Sequence, residues 1–138
     1  MKIITYNVNG IRSAMSKNWL EWLQATNADV ICLQEIKATP DVIVDLLLVE
    51  EMGYQHYWYP AEKKGYSGTA IFTKQIPKHV EYGCGIHDYD REGRNIRVDF
   101  DEVSVMSVYF PSGSSGDERQ GFKFRFLEEF GAYLDEVK

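Results

Sequence analysis

Apolar residues recur with two different periods along the chain, and the change of period separates helices from strands. The runs "KIITYN" at Lys2–Asn7 and "DVICLQ" at Asp29–Gln34 predict two short strands. A helix is predicted between them, with Ser16 as its N-cap. Its apolar face carries Trp19, Leu20 and Leu23. A second helix is predicted over "TPDVIVDLLLVEEMG", from the N-cap Thr39 through Pro40 to a closing Gly53.

After Gly53 the apolar period falls to two, which is the repeat of a β-strand. Strands are predicted in "YQHYWYP", "GTAIFTK", "KHVEYG", "RNIRVDF" and "VSVMSVYF". The last segment, "ERQGFKFRFLEEFGAYLDEVK", returns to a helical period and ends at Lys138 without a terminating residue. This order of elements predicts an α/β fold, and the abrupt end predicts a chain that is part of a longer domain.

Composition limits the classes of protein that fit. With 138 residues, 44% of them hydrophobic, the chain is predicted to be one domain with a substantial core. It carries 15 Lys and Arg against 21 Asp and Glu, so the chain is acidic overall. Binding of nucleic acid would therefore depend on a local cluster of Lys and Arg side chains. Two cysteines form no disulfide framework, and Cys32 is predicted to be a buried thiol. The absence of a signal peptide and of a bilayer-length apolar run predicts a soluble, cytoplasmic protein.

Two polar side chains follow the first two predicted strands. Asn7 ends the first strand and Glu35 follows the second. In open α/β sheets, ligands bind at the carboxyl ends of strands, and Mg²⁺ prefers oxygen ligands of this kind. The alternative is structural: Asn7 satisfies a turn in "NVNG", and Glu35 pairs with Lys37 or caps the next helix.

Further candidates lie in the second half of the chain. Tyr109 follows an alternating strand and is predicted at the same edge, although a lone tyrosine more often has a structural role. Lys63, Lys64 and Tyr66 form a basic and aromatic loop that suits a nucleic-acid backbone, and a solvated hairpin explains them nearly as well. Among three arginines of "REGRNIRVDF", Arg94 is the strongest candidate for a phosphate contact.

The segments "NVNGIR", "DVICLQEIK", "GYSGTAIFTK", "EGRNIRVDF" and "VYFPSG", in this order, resemble the exonuclease III type of apurinic/apyrimidinic endonucleases. These enzymes belong to the endonuclease/exonuclease/phosphatase superfamily. The resemblance implies that Asn7 and Glu35 form a Mg²⁺ site, which Mn²⁺ can also fill, with Glu35 as the direct ligand. It implies that Tyr109 hydrogen-bonds the scissile phosphate. The positions implied to contact DNA or to support the site are Asn9, Arg12, Lys37, Tyr66, Ser67 and Arg94. Ser112 is polar where the family has a polar residue of variable kind.

The resemblance also implies a reaction and a substrate. The family hydrolyses the phosphodiester on the 5′ side of an abasic site, or removes nucleotides from 3′ ends, in double-stranded DNA. Its "GDxN" element and terminal Ser-Asp-His, which activate water and hold the phosphate, are missing from these 138 residues. We therefore expect residues 1–138 to be the N-terminal portion of one domain, nearly inactive alone, and held by a second chain or by self-association. No membrane partner is expected.

For the fold, the resemblance implies half of a four-layer α/β sandwich, with one mainly antiparallel or mixed sheet and flanking helices. The inner face of that sheet is expected to lack its partner and to leave a large apolar patch exposed. Three other functions remain open: a DNase I-like or phospholipid phosphodiesterase of the same superfamily, a non-catalytic DNA-binding or complementation fragment, and a structural α/β domain without a ligand.

Overall fold

Strands form where the apolar period is two, and every predicted strand is present. The computed structural model describes residues 1–43, 45–111 and 116–137, with the backbone alone at residues 42 and 117. The strands are β1 (Ile3–Asn7), β2 (Val30–Gln34), β3 (Gln55–Tyr59), β4 (Thr69–Thr73), β5 (His79–Tyr82), β6 (Asn95–Asp99) and β7 (Ser104–Val108).

The helices differ more from their predicted bounds. They are α1 (Ile11–Met15), α2 (Trp19–Thr26), α3 (Leu46–Glu51), α4 (His87–Asp90) and α5 (Asp117–Val137). Short α1 and α4 lie in segments for which no helix was predicted. The N-cap of α2 is Asn18 and not Ser16, because the Ser16 hydroxyl instead donates to the Ser13 carbonyl and closes α1.

The helix predicted between Thr39 and Gly53 is wrong in its first half. A 3₁₀ turn occupies Pro40–Val42, and α3 begins only after Asp45. Ile43 between them has an extended backbone, with φ −97° and ψ 118°. It lies in the run Val42-Ile43-Val44, and such β-branched residues lose side-chain freedom in a helix.

The strands divide into two sheets. The first has the order β1-β2-β4-β3, with β1 parallel to β2 and the remaining pairs antiparallel. The second has the order β5-β6-β7 and is antiparallel throughout. Because β1 and β2 run in the same direction, the residues that follow them emerge at one edge of the first sheet.

The two sheets pack face to face, and each is covered by helix on its outer side. Between the sheets lies a cluster of Val30, Cys32, Ile71, Ile96, Val98, Phe100 and Val105. Outside the first sheet, Trp19, Leu23 and Val49 cover Ile31 and Leu33. Outside the second, Phe122, Phe126 and Phe130 of α5 pack with Tyr89. Burial raises the pKa of the Cys32 thiol to about 12, as expected for a reduced core cysteine.

The α/β class is confirmed, and the expectation of mainly one sheet is corrected. The apolar face predicted to lack a partner is covered. The strands β6 and β7 belong to a second sheet, and that sheet packs on the inner face of the first. Strand periodicity identifies which residues share a face but does not say which strands hydrogen-bond together. In the part of the chain that the structure describes, no helix is both long and apolar enough to cross a membrane.

Candidate active site

Asn7 and Glu35 meet at the edge where β1 and β2 end. Asn7 is the register partner of Gln34, so the next residue of the second strand, Glu35, lies beside it. The Asn7 Nδ2 donates to Glu35 Oε1 at 3.4 Å, while Asn7 Oδ1 accepts from the Asn9 backbone N–H at 3.0 Å. Asn7 therefore both satisfies its own turn and orients the carboxylate, while its role at a metal site stays a prediction.

Tyr109 reaches the same carboxylate from the second sheet. Its hydroxyl donates to Glu35 Oε1 at 2.5 Å, across 74 residues of sequence. The Tyr109 backbone N–H donates to the Arg94 carbonyl, which extends the pairing of β6 with β7 by one step. Packing of the sheets thus brings together the three residues predicted for the catalytic and metal sites.

A buried polar bridge behind Glu35 fixes the relation between the two sheets. Gln34 Nε2 donates to Thr5 Oγ1 at 2.9 Å and to Ser107 Oγ at 3.0 Å. The Ser107 hydroxyl in turn donates to the Leu33 carbonyl at 2.8 Å. Sequence reasoning did not assign a role to Gln34 or Ser107, although a glutamine ending an otherwise apolar strand was a usable signal.

The charge of Glu35 is set by its hydrogen-bond donors. Burial alone raises the pKa of Glu35, but donation from Tyr109, Asn7 and Lys37, with the Lys37 charge, holds the pKa below its ordinary value. Lys37 Nζ lies 3.3 Å from Glu35 Oε2 and donates to Asn9 Oδ1 at 2.8 Å. Burial, followed by the neighbouring Glu35 carboxylate, raises the pKa of Tyr109 to about 12. At neutral pH the pair is therefore an ionised carboxylate and a protonated phenol.

Four of the predicted site residues share an uncommon backbone conformation. Asn9, Glu35, Lys37 and Ser67 have positive φ angles of 46°, 53°, 55° and 50°. Left-handed backbone in residues other than glycine costs on the order of 1–3 kcal/mol each and concentrates at functional sites. The backbone of this edge is thus held away from its local preference, which nothing in the residue pattern disclosed.

Arg94, predicted to contact phosphate, is instead buried behind the site. It is only 2% exposed, and its guanidinium lies 4.9 Å from the Tyr109 ring centroid. Its nitrogens donate to Glu92, to the Tyr66 hydroxyl and to the Tyr109 carbonyl. A guanidinium already bound by these groups supports the site from behind. Glu92 and Arg119, which join it there, were missed by sequence reasoning.

Ser67 is also enclosed. It is 2% exposed, and among the described residues its hydroxyl has no hydrogen-bond partner. Its carbonyl accepts from the Lys37 backbone N–H at 2.9 Å, so Ser67 fixes the loop that carries Lys37. Ser112, the remaining polar position of the family pattern, lies outside the described residues.

The motifs "GYSG" and "EGR" touch each other directly. Thr69 Oγ1, just after "GYSG", donates to the Gly93 carbonyl at 3.0 Å. A side chain at Gly93 would overlap the Tyr59 carbonyl, and its φ of +60° also favours glycine. Gly93 thus permits the close approach that sets Arg94 against Tyr66.

A groove next to Glu35 is lined by four cationic side chains. Its volume is about 410 Å³, and its walls include Arg12, Lys37, Lys63, Lys64 and Tyr66. The Lys63 ammonium lies over the Tyr66 ring at 5.2 Å from the centroid. Two acids, Asp41 and Glu62, share the walls. This local excess of positive charge fits a polyanion despite the formal net charge of −6.

The donor set at the edge fits a hard divalent cation held largely by water and substrate. Glu35 is ionised, and the Asn7 amide lies beside it, with Nδ2 facing the carboxylate and Oδ1 accepting from the Asn9 backbone N–H. Within the described residues, no three His, Cys, Asp or Glu side chains cluster as metal ligands. A site with one carboxylate suits Mg²⁺, which keeps several waters and takes phosphate oxygens, better than it suits Zn²⁺ or Ca²⁺.

The fold and this edge define an α/β protein whose two sheets share a carboxylate–tyrosine site beside a cationic groove. Residues 4–136 match the model of the Endonuclease/Exonuclease/phosphatase family, and the chain belongs to that family.

Relatives and solved structures agree with this assignment. An exodeoxyribonuclease from Bacillus subtilis (strain 168) is 45% identical over 99% of this chain and 53% of its own length. A structure of an AP endonuclease from Archaeoglobus fulgidus has a TM-score of 0.87 at 29% identity, covering 100% of this chain and 52% of that one. A structure of the 3′ phosphatase NExo (D146N) from Neisseria, bound to product DNA hairpin, has a TM-score of 0.83 at 27% identity. It covers 99% of this chain and 52% of that one. The chain thus spans about half the length of the relatives it matches.

Proposed function

We propose that this chain is the metal-binding portion of a DNA repair nuclease of the exonuclease III type. The parent enzyme hydrolyses phosphodiesters with Mg²⁺, on the 5′ side of abasic sites and at the 3′ ends of double-stranded DNA. One observation carries the proposal: Tyr109 of one sheet donates to Glu35 of the other, beside Asn7. A purely structural domain has no need for an ionised carboxylate, an amide and a phenol at one strained edge.

Each residue has a defined task in this reaction. Glu35 and Asn7 would hold the metal ion, and Mn²⁺ could replace Mg²⁺ there. When bound, the ion supplies positive charge that polarises a phosphoryl oxygen. Tyr109 is protonated at neutral pH, as an ordinary phenol is, and its pKa, raised to about 12, makes ionisation harder still; it serves as a hydrogen-bond donor to the phosphate, not as a base. Lys37 adds a fixed positive charge at the edge.

DNA is the substrate that best matches the groove. Arg12, Lys37, Lys63 and Lys64 can neutralise consecutive phosphates, and Tyr66 offers an aromatic face. The Neisseria 3′ phosphatase with the same fold, bound to product DNA hairpin, supports this choice over a phospholipid substrate. Asn9 and the buried Ser67 and Arg94 support the loops that line the groove.

The proposed activity needs groups that these 138 residues do not contain. The sequence has no "GDxN" element that could activate water. We therefore propose that residues 1–138 alone bind Mg²⁺ and DNA but cleave little, and that a further portion of the domain supplies the missing groups. The sheet topology supports a further portion of the domain, because β1 is an edge strand. An edge strand can pair with another strand, which would then lie beside Asn7. A cytoplasmic location stays a prediction.

Mg²⁺ binding and DNA binding by the 138-residue chain test the proposal. We expect Mg²⁺ to raise the melting temperature, because an ion that binds only the folded state stabilises it. This shift should disappear in Glu35→Gln and persist in Glu51→Gln, which removes an exposed carboxylate on α3. Fluorescence anisotropy should show tighter binding to a duplex with an abasic site than to an intact one, with affinity falling as salt rises.

The outcomes separate the competing functions. Rapid cleavage of the abasic duplex by this chain alone would contradict the need for a second portion. DNA binding without a Mg²⁺ shift would favour a non-catalytic binding fragment. No Mg²⁺ shift together with no DNA binding would favour a structural domain.

A further inference from the structure

Glu92, Arg94, Arg119 and Tyr66 form a connected polar cluster behind the groove. Glu92 Oε1 accepts from Arg94 Nη2 at 2.8 Å and from Arg119 Nη2 at 3.4 Å. The Glu92 side chain is 13% exposed. The Glu92 carboxylate is enclosed and accepts from two guanidinium groups. Loss of its charge would therefore leave both arginines without their carboxylate partner, and we expect them to change position.

The same two arginines converge on the hydroxyl of Tyr66. Arg94 Nη2 and Arg119 Nη2 each lie 3.1 Å from the Tyr66 Oη and donate to it. A phenol oxygen can accept hydrogen bonds and has one O–H to donate. With its acceptor side occupied by two N–H groups, the hydroxyl must direct its proton away from the arginines.

The Tyr66 O–H therefore has a defined direction but no protein acceptor. Among the residues that the structure describes, none accepts a hydrogen bond from it. Tyr66 lines the cationic groove, with the Lys63 ammonium over its ring. A donor held in this way beside a cation matches an acceptor oxygen on an anionic ligand.

We propose that Glu92 is a positioning residue for DNA binding, acting through Arg94 and Arg119 to orient the Tyr66 hydroxyl as a donor to an acceptor oxygen of the bound strand. This inference rests on the proposed function for the identity of the ligand. The orientation of Tyr66 itself is a property of the free protein and can be measured without DNA.

Simple electrostatics and positioning predict opposite signs for one substitution. Glu92→Gln removes a negative charge next to a polyanion site, so charge alone predicts tighter DNA binding. If Glu92 orients Tyr66, Glu92→Gln instead weakens binding to the abasic duplex roughly three- to tenfold, the equivalent of one oriented hydrogen bond. Glu62→Gln is the matched control, because Glu62 lines the same groove and has no side-chain bond to either arginine among the described residues.

The test combines a double-mutant cycle with spectroscopy. Binding of a fluorescent abasic duplex is measured for Glu92→Gln, Tyr66→Phe and the double variant, with melting curves to confirm that each is folded. We expect the Glu92→Gln loss to vanish in the Tyr66→Phe background, as coupling through the hydroxyl requires. In free protein carrying [ζ-¹³C]tyrosine, the Tyr66 signal, assigned with Tyr66→Phe, should move in Glu92→Gln and not in Glu62→Gln.

Each outcome bears on the inference. Tighter binding by Glu92→Gln, or an equal loss in the Tyr66→Phe background, would overturn it, as would an unchanged Tyr66 signal. If Glu92→Gln fails to fold, Arg119→Lys, which keeps the charge but loses the planar fork, takes its place with the same expected sign. If the unsubstituted chain binds no duplex, the proposed function fails, and the tyrosine signal alone decides whether Glu92 positions Tyr66.

Discussion

The neighbouring strands β1 and β2 have equal length and pair residue for residue, yet their environments differ. Every residue of β2 is buried, whereas four of the five residues of β1 are exposed. The second strand lies between β1 and β4 and is covered by side chains on both faces. The first strand lies at the edge of the sheet, and Ile3 remains 47% exposed.

Both strands nevertheless deliver a residue to the same site. Glu35 continues a strand held on all sides, and its carboxylate has three polar contacts, one each from Tyr109, Asn7 and Lys37. Asn7 ends a strand with one strand neighbour and depends on its own turn for orientation. The comparison shows that the central strand fixes the position of the Glu35 carboxylate, while the edge strand holds Asn7 less firmly and leaves an edge that a further strand could cover.

The largest expected effect separates the two strands by stability. Ile31→Ala removes a fully buried side chain from β2 and should lower the free energy of unfolding by about 2–5 kcal/mol, from lost transfer energy and a residual cavity. Ile3→Ala makes the same chemical change on β1 and should cost less than about 1 kcal/mol. Urea unfolding followed by circular dichroism measures both.

The matched pair can also break the comparison. Equal losses for Ile31→Ala and Ile3→Ala would mean that the exposed face of β1 is covered in solution, for example by self-association. Repeating the unfolding at several protein concentrations distinguishes this, because an associated state becomes more stable as concentration rises.

A smaller effect is expected where a buried strand residue is polar. Asn95, which opens β6 opposite Val108, is fully buried, and among the described residues neither of its amide atoms has a hydrogen-bond partner. Burying an unsatisfied amide costs about 1–3 kcal/mol, so Asn95→Leu, with the same branching, should raise the free energy of unfolding by up to that amount.

Asn95→Asp is the control for this position, because it buries a charge and should lower stability. Urea unfolding of both variants gives the sign. A loss of stability in Asn95→Leu would show that the amide does have a partner in solution, such as an ordered water.

The smallest effect concerns pH at the end of β2. The pKa of Glu35 is lowered from its ordinary value of 4.5, so its ionised form favours the folded state. This contribution is fully present above that value and is lost as the pH falls through the lowered pKa. The difference in unfolding free energy between the unsubstituted chain and Glu35→Gln should therefore be largest near neutrality and shrink in acid. A difference between the unsubstituted chain and Glu35→Gln that does not shrink in acid would contradict the assignment.

Local pattern was sufficient for the strands because alternation over five or six residues is set by neighbours in sequence. It was insufficient for the segment after Thr39, where a helical apolar stripe competed with β-branched residues and an extended Ile43 prevailed. It also could not divide the strands into two sheets, since either arrangement buries the same alternate residues.

The candidate site shows the same division. Asn7 and Glu35 were predictable at one edge because each ends or follows an apolar strand of one sheet, whereas Tyr109 reaches them only because the second sheet packs on the first. The burial of Arg94 was not predictable, because it depends on Phe122 and Arg119 of a helix that joins the loop only in the folded protein. Glu92 gained its role for the same reason, since Arg119 lies 27 residues away in sequence.

The sequence by itself determined the α/β class, the strands, the family and the residue types at the edge. Those features follow from local periodicity and from short motifs. The tertiary structure decided that Tyr109 and Asn7 donate to Glu35 and hold its pKa below the ordinary value, and that Arg94 and Glu92 support the groove from within the protein. Charge and donor direction depend on distances between side chains far apart in sequence, and only the packing of the two sheets and α5 sets those distances.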